Sequence, residues 1–166
     1  MSKLGVGKTE SYVTVVGETT AEYTEKRSRF IATLRHCETE EEAAEFINAL
    51  KAKYWDARHN CYAYSVENGA LKRFSDDGEP HGTAGKPILS VIEGAGITNV
   101  CIAVTRYFGG VLLGTGGLVR AYTKAAADAA AKITKAVMTP GTVFSAECDY
   151  SSAERLAKLI ADAGGC

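Results

Sequence analysis

The stretch Thr105–Tyr122 reads TRYFGGVLLGTGGLVRAY and sets Arg106 and Arg120 around Gly109, Gly110, Gly114, Gly116 and Gly117. Glycine tolerates positive φ and lets backbone approach a neighbour closely, because no Cβ intervenes. A glycine-rich link that runs from a strand into a helix bares unpaired N–H groups at the positive end of the helix dipole. Such a link can hold an anion, and Arg106 at the strand end and Arg120 one turn into the helix would give bidentate phosphate contacts. Lys124 extends the same basic face, and Tyr107 and Phe108 offer rings on which a base could stack. The same glycines also suit tight turns and close helix–sheet packing, so spacing alone leaves both readings open.

A second stretch, SDDGEPHGTAGKP, gathers Asp76, Asp77, Gly78, Glu79, Pro80 and His81 before Gly82, Thr83, Ala84, Gly85 and Lys86. It reads as a second anion site at a helix entrance, as acids placed to hold Mg²⁺ or move a proton, or as a solvated turn. In RHNCYAY, His59 and Cys61 share one face of a strand, as a thiolate–imidazole pair would, but a packed cysteine beside a half-buried histidine is favoured. Tyr62 and Tyr64 share the other face and read as cross-strand packing rather than base stacking. GVGKT at residues 5–9 resembles the end of a phosphate-binding loop, yet Ser2 stands where that motif needs glycine and no strand precedes it.

The elements that must position these residues follow from periodicity. Strands are predicted over Tyr12–Val16, Glu22–Arg35, Asn60–Glu67 (ending at the turn Asn68-Gly69) and Asn99–Thr105, the last apolar enough to be buried on both faces. Thr39 and Glu42 form a capping box for a helix from Glu40 to Lys53. Phe74–Pro87 reads as a polar loop, and the segment after it as a short helix stopping at Gly94 and Gly96. A long helix starts near Gly117, with Leu118, Tyr122, Ala126, Ala129, Ile133 and Val137 on one side, and Asp128 able to pair with Lys124 and Lys132. After Pro140-Gly141, a strand over Thr142–Tyr150 and a helix opening at Ser151–Glu154 and stopping at Gly164-Gly165 end the sequence.

Length and composition bound the rest. The chain has 166 residues, 46% of them hydrophobic and 23% charged, enough for one domain that folds without disulfide or metal. Cys37, Cys61, Cys101, Cys148 and Cys166 are scattered with no CxxC, so reduced thiols are expected and no metal or cofactor is. There is no apolar run of membrane-spanning length and no apolar leader core, which places the chain in the cytoplasm with no membrane partner. Net charge is −1, but residues 101–136 carry Arg106, Arg120, Lys124, Lys132 and Lys135 against Asp128, a local balance of +4. Glu38, Glu40, Glu41, Glu42 and Glu45 compensate.

SDDGEPHGTAGKPIL followed by NVCIAVTRYFGGVLLGTGGLVRAY, with the shorter ARHNCYAY, resembles the YigZ/IMPACT family over about Ser11 to Thr134. The resemblance implies an α+β fold: a two-layer sheet-and-helix domain with a left-handed βαβ crossover, shared in outline with domain IV of elongation factor G and the GHMP kinases. It implies an N-terminal domain over residues 1–138, and in residues 139–166 the shortened start of a ferredoxin-like second domain. The family's motif residues carry over to Asp76–Glu79, Pro80 and Gly82–Gly85, and to Arg106–Gly110, Gly114, Gly116, Gly117 and Arg120, with no catalytic assignment attached. Its eukaryotic members are linked to translational control through a protein partner, and bacterial ones have been proposed to bind nucleic acid. The leading expectation is therefore a non-enzymatic RNA- or ribosome-associated protein with phosphate clamped by Arg106 and Arg120. The alternatives are a phosphate- or nucleotide-using enzyme built on Asp76–His81, and a protein-binding module.

Overall fold

Ser28–His36 alternates Phe30, Ala32 and Leu34 with Arg29, Ile31, Thr33 and Arg35, and this period of two sets the plan of the molecule. The structure is a computed structural model that describes residues 11–141, 145 and 147–163. Ser28–His36 (β3) pairs with Glu18–Glu25 (β2) and Val100–Tyr107 (β6). His59–Val66 (β4) and Leu71–Ser75 (β5) complete a five-stranded sheet of order β2-β3-β6-β4-β5 with every pair antiparallel. Tyr12–Val16 (β1) pairs with Thr134–Met138 (β7) in a separate two-stranded sheet.

The even residues of β3 and β6 and the odd residues of β4 form one core with the helices Gly85–Gly94 (α2) and Gly114–Lys132 (α3). Phe30, Ile88, Ile102 and Tyr122 lie fully buried there. The opposite parity packs Tyr64, Val66, Cys101 and Ala103 under Glu40–Lys53 (α1). The α+β class holds, and α1 adds a partial third layer to the two expected. The last described helix, Tyr150–Asp162 (α4), has no buried residue and is capped by Asp149, whose carboxylate accepts from Ser152 N.

Three elements differ from expectation. The single strand predicted over Glu22–Arg35 is a hairpin, turned at Lys26 and Arg27, both at positive φ (44° and 65°). Neither residue announces such a turn. Leu71–Ser75, assigned partly to a loop, is the edge strand β5. The long helix begins at Gly114 and ends at Lys132, so Ile133 and Val137 leave it: pairing with β1 overrides the helical spacing. The expected strand over Thr142–Tyr150 lies partly outside the described residues; Ser145 and residues 147–149 are in no strand, and Tyr150 opens α4. The GVGKT segment and the Gly164-Gly165 stop also lie outside them.

Candidate functional site

Arg106 stands near the end of β6, at 6% exposure, with its guanidinium between the rings of Phe30 and Phe108, each centroid 5.6 Å away. Its Nη1 donates to Glu79 Oε1 at 2.7 Å and its Nη2 to Ser28 Oγ at 3.3 Å. Tyr122 OH, from α3, donates to the same Glu79 oxygen at 2.7 Å. Arg106, expected to clamp phosphate, is thus engaged within the fold by Glu79 and Ser28. The cation is spent on a buried carboxylate, and the pair ties the acidic loop to β6, β3 and α3.

The acids of that loop are engaged in the same way. Asp76 accepts from Gly82 N, Ala84 N and Gly85 N at 2.8–3.1 Å, so the entrance of α2 is filled by the chain's own carboxylate. Burial pushes the Asp76 carboxyl up, but these three backbone donors outweigh it and hold it below its usual value. Asp77 accepts from Lys51 Nζ and Asn60 N, and its carbonyl faces His59 Nδ1 at 2.9 Å. Thr83 Oγ1 donates to Pro80 O. At Gly85 a Cβ would lie 2.8 Å from the Ser75 backbone, so the helix entrance packs directly on β5. Gly78 and Gly82 turn at positive φ, and His81 and Lys86 are exposed. The second motif, for which an anion site, an acid or metal site and a solvated turn were all open, folds as a staple in which Asp76 and Asp77 accept from the chain's own donors. Cys61 is fully buried and donates to Asp76 O at 3.0 Å, and burial pushes its thiol up, the environment of a packed cysteine.

The glycine stretch is different. Gly109 passes so close to the β2–β3 turn that a Cβ there would overlap the Arg27 carbonyl group, and its N–H donates to Ser28 Oγ. Gly110 and Gly114 have positive φ, while Gly116 and Gly117 lie in the first turn of α3. That turn has no side-chain cap and no acid, leaving its N–H groups to the solvent. A cavity of about 250 Å³ opens beside it, lined by Tyr23, Glu25, Lys26, Leu113, Arg120 and Lys124 among others. Glu25 accepts from Tyr23 OH at 2.6 Å, and Lys124 pairs with Asp128 on the outer face of α3. Phe108, Val111 and Leu112 project from the preceding loop, Leu112 at 82% exposure. A larger cavity of about 530 Å³ lies at the other end of the sheet, against Ser65, Ile97 and Thr98, far from either motif.

The structure thus brings Arg120, Lys124 and the glycines together and leaves Arg106 beneath them. Tyr107 is half-buried with its hydroxyl donating to Asp56, and Phe108 keeps one face over Arg106. Sequence reasoning missed Lys26 and Arg27, because the strand assigned there concealed a turn. The basic run KRSR within a β-pattern was the available signal.

Comparison with known proteins places these motifs. The model of the Impact N-terminal domain matches residues 26–130. The chain is 40% identical over 143 residues to "IMPACT family member YigZ" of Escherichia coli (strain K12), covering 84% of this chain and 70% of that one. It is 47% identical over 119 residues to "IMPACT family member YvyE" of Bacillus subtilis (strain 168), covering 71% and 55%. A solved structure described as "Crystal structure of an hypothetical protein" superposes with a TM-score of 0.76 at 38% identity, over 92% of this chain and 76% of that one. The chain spans 55% of the length of one of these curated relatives and 70% of the other.

Proposed function

This chain belongs to the Impact N-terminal domain family, and from that premise we propose that it is a non-enzymatic, cytoplasmic RNA-binding protein acting in translation. The observation that supports this best is the set Lys26, Arg120 and Lys124, which line the cavity beside the uncapped first turn of α3 together with Glu25, with Arg27 next to Lys26 in the β2–β3 turn. Phosphates of the strand sit at the N–H groups of Gly116 and Gly117 and against these cations. Phe108, half-exposed at the loop's shoulder, stacks on a base. In this reading Arg106 and the acidic loop hold the shape of the site and do not touch the ligand.

Leu112 and Val111 favour one other reading, a protein partner, because exposed aliphatic side chains have no π face to offer a base. The two readings part in a fluorescence-anisotropy titration of labelled RNA between about 50 and 200 mM salt. Micromolar affinity that falls steeply with salt, and falls less in Arg120→Ala/Lys124→Ala, is the expected result. No binding at low salt would remove the RNA reading, and retained RNA binding in Leu112→Ser would detach the aliphatic residues from it.

A further inference from the structure

The same end of the sheet carries a second exposed feature, on the α1 side. Trp55, the one tryptophan of the chain, is 82% exposed just past the end of α1. Its turn is fixed at several points. Tyr54 N donates to Leu50 O and Ala57 N to Tyr54 O, at 2.9 and 3.0 Å. Asp56 Oδ1 accepts from Tyr107 OH at 2.8 Å, which anchors the turn to the last residue of β6, next to Phe108. Lys53 lies 5.1 Å over the ring of Tyr54, Arg58 is exposed, and Arg29 sits opposite Tyr107 in the β3–β6 register. An indole carries about 150–250 Å² of largely apolar surface, which folding ordinarily buries. Here it is left in water on an anchored turn, with Lys53 and Arg58 close by in sequence and Arg29 held by Glu22 on the neighbouring strand.

We propose that Trp55 is a stacking platform for an unpaired base, so that one RNA single strand runs from the entrance of α3 past Tyr107 to Trp55. The inference rests on the RNA reading above. It narrows the ligand to single strands, because the bases of a duplex are stacked on each other and present no face to an indole. It also predicts tolerance of base sequence, since every base has a π face.

Being the sole tryptophan, Trp55 reports on its own occupancy. An oligouridine of about 12 nucleotides, titrated at low salt, is expected to quench its emission saturably, and a duplex of equal length is not. By anisotropy, Trp55→Ala weakens the oligouridine by roughly 5- to 150-fold, the worth of one stacked base, and Trp55→Phe retains most of the affinity. At 82% exposure the side chain carries no core packing, so the variants fold. If anisotropy shows the oligouridine bound while emission and Trp55→Ala affinity stay unchanged, the platform is refuted and the RNA reading stands. If the wild type binds the duplex and not the oligouridine, the platform falls and the RNA reading stands; if it binds neither at low salt, both fall. A duplex bound as tightly as the single strand also refutes the platform.

Discussion

At the scale of single residues, Arg106 and Glu79 form an ion pair in which both partners are buried, at 6% and 8% exposure. In sequence Arg106 reads as a free cation, because its counter-charge, Glu79, lies far back in a loop that reads as solvated. Only the fold closes that loop. The pair makes a sharp prediction. Glu79→Ala leaves a guanidinium buried without a carboxylate and should cost about 3–5 kcal/mol in urea unfolding. Replacing both by apolar residues, Glu79→Leu with Arg106→Met, should recover most of the loss, whereas additive losses would show that the two do not act as a pair. Asp76 gives a pH signature. Its carboxyl is held below the ordinary value, so the stabilisation is complete above about pH 4 and is lost as pH falls through the folded-state value. Asp76→Asn should lower Tm near neutral pH and converge with the wild type in acid. A parallel offset at every pH would place the acid sensitivity elsewhere.

At the scale of elements, legibility followed how local the cause was. The boundaries of α1 were readable because its capping is local: Thr39 Oγ1 accepts from Glu42 N at 3.2 Å, and Glu42 reaches back to Glu38 N. The central strand β6 was readable because burial on both faces leaves it almost wholly apolar. The β2–β3 turn was not, since Lys and Arg occupy backbone positions usually held by Asn and Gly. Nor was β7, whose pairing is decided by the other end of the chain. The glycine link carries a test that separates its two expected roles. Gly109→Ala should cost about 1–3 kcal/mol, because its Cβ would meet the Arg27 backbone, which cannot move without the hairpin. Gly110→Ala has open space and only the strain of positive φ, so about 1 kcal/mol is expected. Equal thermal shifts for the two would contradict the close approach.

At the scale of the whole molecule, a net charge of −1 conceals a group of cations at one end, Lys26, Arg120 and Lys124 about the α3 cavity with Arg27 in the adjoining turn. The β2–β3 turn, the α1–β4 turn, the acidic loop and the glycine link all converge there. Four cations near one strand predict a log–log salt slope of about −3 for single-stranded RNA, halved when Arg120 and Lys124 are removed. A slope near zero would mean the ligand is not a polyanion. The two-stranded sheet has a consequence in time. Tyr12 pairs with Met138, so on a ribosome adding about 5–20 residues per second, β1 waits on the order of ten seconds for its partner. Through that interval the nascent chain carries an unmatched Val-rich strand, which is the surface a chaperone would meet first.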